Sequence, residues 1–361
     1  HELKITGSPQ MNLIDKTKVD FVSLHPGDYN GIKPKMLVKQ GDSVLVGSPL
    51  FFDKLNPDVK FVSPISGVVS EIELGERRFV NKILIKNDFE SKKIKNDISS
   101  LNTISTDKLR QVLLESGLWS NLRQMPFSKI PNPKVLPRDI FISAYSTAPF
   151  SCDSAYILKG RENFFQTGLD ALSKLTTGKV HLNIAKNELS EVFRNAKNVN
   201  INTFTGKHPA GNIGVQIHHI KPINSRDDIV WYLDVQTVAD IGNYILSGRY
   251  PNVKIVSLGG SCLKSPSYCK ITKSSLTGFI LKDNLDKDEN YRVISGDILS
   301  GQTRKLEDGI RSNDSILSVI PESTEREFLG WALPGIKKYS LSRTFLSSLF
   351  ASKKSVLNTS M

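Results

Sequence analysis

Cysteine and histidine are the residue types in this sequence that most often carry metal or nucleophile chemistry. The three cysteines, Cys152, Cys262 and Cys269, form no C-x-x-C pair, and an odd number gives no even disulfide framework. We therefore interpret them as reduced thiols. His218 and His219 are adjacent, and on a strand they would point to opposite faces, so we interpret them as strand histidines and not as joint metal ligands.

Signatures of hydrolases and nucleotide-binding proteins are also missing. The sequence contains no G-x-S-x-G, no H-E-x-x-H and no P-loop. The glycine-rich stretch "TGKHPAGNIG" could bind phosphate through backbone N–H groups, although a loop that only turns between elements is the simpler interpretation. No G-x-G-x-x-G follows a predicted strand, so we do not expect NAD to bind this chain.

Lys54 could carry a swinging prosthetic group. The stretch 38–72 resembles the lipoyl and biotinyl domains, which present a modified lysine at the tip of a tight hairpin. Here the inserted "NPDVK" predicts a wider turn and places Pro64 further from the lysine than in a lipoyl hairpin. Biotinyl domains require a methionine beside the lysine, whereas Lys54 is flanked by Asp53 and Leu55. We therefore expect an unmodified surface lysine on a barrel-sandwich scaffold.

Length, composition and charge limit the class of protein to which these residues belong. The chain has 361 residues, enough for several domains, and 39% hydrophobic with 23% charged residues is typical of a folded soluble protein. No apolar run approaches the length of a membrane span, and the start has no signal-peptide pattern. The net charge of +12 is spread along the chain without a zinc-finger spacing or base-stacking strand, so no nucleic acid partner is predicted.

The middle of the chain alternates strand and helix patterns. "DIFISAY", "RENFFQTGLDALSKLTTG", "KVHLNIA", "VQTVADIGNYILSG" with Asp234 as cap, and "VKIVSLGG" follow one another in the rhythm of βαβ units. This pattern predicts a Rossmann-like parallel-sheet domain over 138–258, without the dinucleotide fingerprint.

Four further regions flank this domain. Short β runs between Gly and Pro turns predict the barrel-sandwich, biotinyl/lipoyl-like module over 1–100. Residues 101–137 contain an amphipathic helix capped by Thr106 or Asp107 and form a helical connector. Short strands predict a small mixed β domain over 259–321, and 322–361 is predicted to be a helical C-terminal segment.

Six long motifs occur in the same order as in the A subunits of the Na⁺-translocating NADH:quinone reductases, the NqrA family, and the chain resembles that family over nearly all its length. They are "GIKPKMLVKQGDSV", "LFFDKLNPDVKFVSPISGVV", "ESGLWSNLRQMPFSKIP", "TGKHPAGNIGVQIHHIKPIN", "YRVISGDILSG" and "REFLGWALPGIKKYSLSRTFLSSLF". Because chains of the family run on further, this one resembles a C-terminally truncated form. The resemblance implies that the small β domain is β-grasp-like (SLBB).

The resemblance also implies a function. It implies a peripheral subunit on the cytoplasmic face of the bacterial inner membrane, within a respiratory complex that oxidises NADH, reduces ubiquinone and exports Na⁺. Flavins and the iron–sulfur centre belong to other subunits, so no cofactor is expected on this chain. The expected partners are those other subunits, especially the quinone-proximal membrane subunit, with ubiquinone as a further candidate ligand.

A quinone pocket needs an aromatic-lined slot with donors to the carbonyl oxygens. The candidates are Trp119, Met125 and Phe127 for the slot, with Arg123, Lys129 and His208 as donors. Anchoring of an interdomain core and an ordinary loop histidine are the alternative interpretations of these residues.

The C-terminal region offers candidates for the partner interface, namely Trp331, Lys337, Lys338 and Arg343. A solvated basic helix end is the alternative. Two other functions stay open: the C-type subunit of an Rnf-like electron-transport complex, against which the missing cysteine clusters argue, and a lipoyl-type carrier protein.

Overall fold

The computed structural model describes residues 5–98, 100–101, 103–286, 290–323, 332–336, 345–349 and 356–359, whose strands form four sheets. Much of the predicted C-terminal helical segment lies outside these residues, apart from a short 3₁₀ helix at Leu346–Leu349. The interface candidates Trp331, Lys337, Lys338 and Arg343 also lie outside them. In the part of the chain that is described, no helix combines the length and the apolar character needed to cross a bilayer.

Two antiparallel sheets build the N-terminal module around one core. One sheet has the order β2-β8-β7-β4 and the other β3-β5-β6. Their inward side chains include Phe51 and Phe61, whose rings stack at 4.4 Å, and Val69, Ile83 and Ile85 from the other sheet. The strand β1 (Gln10–Lys16) precedes this module and joins another sheet. The strands of the module are β2 (Phe21–Leu24), β3 (Pro34–Met36), β4 (Ser43–Val44), β5 (Pro49–Asp53), β6 (Asn56–Val62), β7 (Gly67–Leu74) and β8 (Val80–Asn87).

Lys54 lies at the tip of a tight hairpin, contrary to the predicted wider turn. Asp53 pairs with Asn56, so Lys54 and Leu55 alone form the turn between β5 and β6, and both are exposed. The buried Asp53 carboxylate accepts hydrogen bonds from the backbone N–H of Lys33 at 2.9 Å and of Leu55 at 3.1 Å. The prediction was wrong because "NPDVK" extends β6 and leaves the turn unchanged.

The connector begins with α1 (Thr106–Glu115), as its apolar spacing predicts. Its cap is Ser105, one residue before the predicted Thr106 or Asp107; the Ser105 hydroxyl accepts from the Lys108 N–H at 3.2 Å. Gly117 adopts φ 78°, which ends the helix, and a 3₁₀ helix follows at Leu118–Asn121.

The second domain is a sheet of four parallel strands with one antiparallel edge strand, in the order β12-β11-β10-β13-β9. The first of the parallel strands, β10, therefore lies between β11 and β13, and the chain reverses its direction across the sheet there. The elements are β9 (Arg123–Met125), β10 (Ile140–Ser143), α2 (Ser154–Leu158), α3 (Glu162–Ser173), β11 (Val180–Ala185), α4 (Glu191–Arg194), β12 (Asn200–Phe204), α5 (Ile213–Ile220), β13 (Val230–Asp234) and α6 (Val235–Ser247).

His218 and His219 lie on α5 and not on a strand, so that prediction was wrong. Ile213, Ile217 and Ile220 recur at helical spacing and pack on one cluster, which makes the segment helical and leaves both histidines exposed. The two imidazole rings lie 5.6 Å apart at nearly right angles.

The third sheet gathers strands from both ends of the chain in the order β1-β15-β14-β18-β16-β17. The strand at 253–259, predicted for the parallel sheet, belongs here, because it pairs with β15 and β18. A strand after a helix has the same local pattern whichever sheet it joins. The remaining elements are β14 (Val253–Gly259), β15 (Ser267–Thr272), α7 (Thr277–Leu281), β16 (Tyr291–Ser295), β17 (Gln302–Thr303) and β18 (Ile316–Pro321).

Candidate functional site

A cleft of about 820 Å³ lies where the three sheet-bearing parts of the chain meet. Ser143 ends β10 at its edge, and Asp234 and Val235 stand at the junction of β13 and α6. These are the carboxyl ends of two neighbouring parallel strands at the point where strand order reverses, the place where open parallel sheets bind ligands. We call this space the central cleft.

The other walls come from distant segments. The N-terminal module contributes Asp28, the connector contributes Arg123 and Ser128, and the last sheet region contributes Arg311 and Asp314. The cleft is thus assembled only when all three parts pack together, and both basic and acidic groups line it.

Arg123 is the cation of the central cleft that lacks an acidic partner. Its Nη1 atom donates to the carbonyl oxygens of Ser120 at 2.7 Å and Leu122 at 2.8 Å, and the neutral amide of Asn313 lies against its other nitrogens. Within the described residues no carboxylate forms an ion pair with it. Burial lowers the pKa of Arg123, although tyrosine oxygens and Asp314 oppose that effect. The guanidinium charge is therefore only partly compensated.

Two of the three acidic groups that line the cleft, Asp28 and Asp314, are in contrast held by arginines, whereas Asp234 caps α6. Asp28 forms an ion pair with Arg304 and lies 3.9 Å from Arg311, which is 3.8 Å from Asp314. Burial still outweighs these cations and raises the pKa of Asp28. Ser295 also donates to Asp314 at 2.8 Å.

Ser128 and Tyr232 place a pair of hydroxyl groups beside Arg123. Antiparallel pairing of β9 with β13 sets Arg123 opposite Tyr232. The Ser128 and Tyr232 oxygens are 2.5 Å apart and share one hydrogen bond. One of the two hydroxyl groups donates its proton to this hydrogen bond. The proton of the other hydroxyl stays available to a ligand in the cleft.

Of the six predicted quinone residues, Arg123 lines the central cleft and Phe127 lies at its edge. The Phe127 ring is 60% exposed, and its carbonyl oxygen accepts from Asn30, which also lines the cleft, at 3.4 Å. Lys129 is exposed on the same turn. Met125 is partly buried against the apolar cluster that contains Phe141.

Trp119 and His208 do not line the cleft. Trp119 is fully buried, donates from Nε1 to the Pro131 carbonyl at 2.9 Å and packs edge-on against Trp231 at 5.1 Å. His208 Nδ1 lies 3.2 Å from the Thr147 hydroxyl. These positions agree with the alternative interpretations of a core tryptophan and a loop histidine.

Ser128, Tyr232 and Arg311 line the central cleft but were not predicted from the sequence. Ser128 stood inside the quoted motif "MPFSKIP", next to the chosen Phe127, but nothing local marks Tyr232 or Arg311 as its neighbours. In the part of the chain that the structure describes, no group of three or more His, Cys, Asp or Glu side chains could hold a metal ion.

Three family models match successive parts of the chain. They are the NqrA N-terminal barrel-sandwich hybrid domain over residues 1–88, the NqrA second alpha/beta domain over 104–250 and the NQRA C-terminal domain over 255–305. The A subunit of the Na(+)-translocating NADH-quinone reductase of Yersinia pseudotuberculosis is 36% identical over 363 aligned residues, covering 100% of this chain and 80% of that protein. The chain belongs to the NqrA family.

Other members of the family are similar at the same level. The corresponding proteins of Pasteurella multocida and Rhodopirellula baltica, which carry the same name, are 37% and 35% identical over 95% and 98% of this chain, covering 77% and 78% of their own length. Membership confirms the predicted barrel-sandwich module, a second α/β domain and an SLBB-type domain.

Comparison with solved structures finds a distant similarity. A chain of an NAD⁺-reducing [NiFe]-hydrogenase in the H₂-reduced state superimposes with a TM-score of 0.42 and 12% identity, covering 61% of this chain and 50% of that one. This similarity is too distant to support an inference about the central cleft.

Proposed function

We propose that this chain is the A subunit of a Na⁺-translocating NADH:quinone reductase. The observation that carries the proposal is the match to relatives of that name over the whole chain. In this role the chain is a peripheral subunit on the cytoplasmic face of the membrane and supports assembly with the other subunits, including the quinone-proximal membrane subunit. We also propose the Rossmann-like and β-grasp-like assignments, with the predicted divisions at 100, 137 and 321. The predicted division at 258 moves to a position before Val253, because β14 belongs to the third sheet.

We further propose that NADH, flavins and the iron–sulfur centre are bound by other subunits. The cysteine count supports the iron–sulfur part of this proposal, because the chain has three cysteines and such clusters are generally held by four cysteine thiolates. The missing G-x-G-x-x-G supports the part that concerns NADH.

The central cleft is our candidate for contact with ubiquinone. Reduction places negative charge on the two quinone oxygens, and preorganised donors stabilise that charge. Arg123 supplies a partly compensated cation, and the Ser128–Tyr232 pair supplies a free hydroxyl proton. Phe127 provides an exposed aromatic face at the edge, with Met125 on the same side of β9 as Arg123.

The proposed place in the complex is tested by affinity purification of the tagged full-length protein from mildly solubilised membranes of its source. We expect flavin-bearing membrane subunits and NADH:quinone reductase activity to co-purify. Recovery of the chain alone from membranes that contain the reductase activity would contradict the proposal.

The quinone contact is tested within the purified complex by Arg123→Gln. Losing one charge-assisted hydrogen bond costs about 1.5–3 kcal/mol, so we expect KM or kcat for a soluble ubiquinone to worsen by about 10- to 100-fold. Lys134→Gln is the matched control, because it removes the same charge from an exposed position outside the central cleft. Equal KM and kcat values for the two variants would show that the central cleft does not take part in quinone reduction. Co-purification would in that case still support membership of the complex.

A further inference from the structure

A second cleft, separate from the central cleft, lies at the far end of α6. It has a volume of about 480 Å³ and is bounded by the chain leaving the N-terminal module, the start of α3, the end of α6 and the start of β14. Asp240 is the carboxylate among its described lining residues, against five cations. We call it the basic cleft, and its cations are Lys93, Arg161, Arg249, Lys254 and Lys270.

Three of these cations are already engaged. Arg161 forms an ion pair with Asp240 at 2.6 Å, and the same carboxylate holds the buried Lys273 at 2.6 Å through its other oxygen. Lys254 is buried and donates to the backbone carbonyls of Arg311, Ser312 and Asp314. Lys270 lies 3.9 Å from Asp15. The one carboxylate of the cleft is therefore already shared between two cations.

Lys93 and Arg249 remain without an acidic partner in the described part of the chain. The Lys93 ammonium donates to the side-chain oxygen of Asn252 at 2.9 Å, a neutral acceptor. Burial first and the charge of Arg249 second lower the pKa of Lys93, so the two cations repel each other across the cleft. Lys95, the next basic residue along, pairs with Arg249 through the backbone, which holds the two segments together.

We propose that the basic cleft binds a phosphate-bearing ligand, with a phosphate group bridging Lys93 and Arg249. A concave site with one excess sign of charge concentrates counter-ions. Arginine binds phosphate through two parallel N–H donors, lysine acts as a point charge, and Asn243 and Asn252 add neutral polar groups at the rim. A phosphate would replace the repulsion between the two cations by attraction to both.

The cleft's size agrees with this ligand class. Small-molecule sites generally have volumes of about 300–1,000 Å³, and 480 Å³ accommodates a phosphate with an attached group of modest size. The phosphate could be free in solution or belong to the headgroup of an anionic lipid. Both sources present the same chemistry to Lys93 and Arg249.

The test compares two double variants of the full chain. Lys93→Gln with Arg249→Gln removes both unpaired cations, and Lys39→Gln with Lys197→Gln removes the same charge from exposed positions outside the cleft. Both residues of the first pair are exposed overall, although the Lys93 ammonium group is partly buried, so thermal unfolding should stay near that of the original protein and confirm folding. Binding of pyrophosphate is measured by calorimetry at constant ionic strength, and binding of phosphatidylglycerol vesicles by co-sedimentation, with phosphatidylcholine vesicles as blank.

We expect the cleft variant to lose about tenfold or more in affinity for at least one probe, while the control variant stays near the original protein. Loss with pyrophosphate identifies a soluble phosphate ligand, and loss confined to vesicles identifies a lipid headgroup. Absence of binding by the original protein, or an equal response of the two variants, would overturn the proposal.

Discussion

Asp240 offers the sharpest test of the packing between the second domain and the last sheet. Asp240 as a residue is 3% exposed and Lys273 is 5% exposed, and the carboxylate oxygen and ammonium nitrogen are 2.6 Å apart. Burial alone would lower the pKa of Lys273, but Asp240 and Tyr250 raise it above its usual value. The ammonium therefore stays charged inside the protein because Asp240 is there.

Asp240→Asn keeps the shape of the side chain and removes its charge. Arg161 is partly exposed and can turn toward solvent, whereas Lys273 is left as a buried charge without a carboxylate. Breaking a buried pair in this way costs about 3–5 kcal/mol. We expect that loss in the free energy of unfolding, measured by urea denaturation with tryptophan fluorescence as the signal.

The companion variant separates charge from packing. Asp240→Asn combined with Lys273→Met removes both charges and retains an unbranched apolar side chain at 273, so it should recover most of the lost stability. Two results would refute the reasoning: a single variant that loses less than about 1 kcal/mol, or a double variant as unstable as the single one.

Three further predictions follow from single positions. In Gly242→Ala the new Cβ would clash with the carbonyl oxygen of Phe164 on α3, so we expect the free energy of unfolding to fall by about 1–3 kcal/mol. Gly214→Ala on α5 is the control, because its Cβ meets open space and the change should be neutral or stabilising. The urea midpoints of the two variants test this difference. The pKa of Lys254 is lowered to about 8 by burial, from 10.5. Between pH 8 and 10.5 the unfolded state therefore binds more protons than the folded state, so the free energy of unfolding should rise by about 3 kcal/mol over that range. Lys254→Met should abolish this rise, and urea unfolding at pH 7.5 and pH 10 measures it. Intact mass spectrometry of the protein from its source should find no lipoyl or biotinyl group on Lys54, despite its place at a hairpin tip.

Apolar periodicity and capping residues correctly predicted several helices and strands, because these features act between residues close in sequence. The strand-and-helix rhythm gave β10, α3, β11 and α6, and the Asp234 carboxylate caps α6 by accepting the Thr237 N–H at 2.7 Å. The α5 segment was missed because Ile213, Val215 and Ile217 alternate with polar residues and glycine as on a strand, although Ile213, Ile217 and Ile220 also have helical spacing. The hairpin at Lys54 was misjudged from residue counting, since a longer strand and a wider turn add the same number of residues.

Long-range pairing could not be predicted from such signals. The sheet that contains β14 takes its edge strand from Gln10–Lys16, more than two hundred residues earlier in the chain. The same holds for the central cleft. Arg123 was chosen for its chemistry, but Tyr232, Asp28 and Arg311 join it only through the packing of three separate parts of the chain.

Helix α6 relates the two proposed sites to each other. Val235 at its start lines the central cleft, and Ser247 at its end lines the basic cleft. Its 13 residues span roughly 20 Å, but the clefts come closer than that, because the side chain of Gln236 in the central cleft bonds to the backbone of Ile255 in the basic cleft. Arg123, Lys93 and Arg249 take no part in this contact. Arg123→Gln should therefore alter quinone kinetics and leave phosphate binding unchanged, and the double substitution of Lys93 and Arg249 should do the reverse. If either variant changed both measurements while the fold stayed stable, the clefts would be coupled through α6 and could not be treated as separate sites.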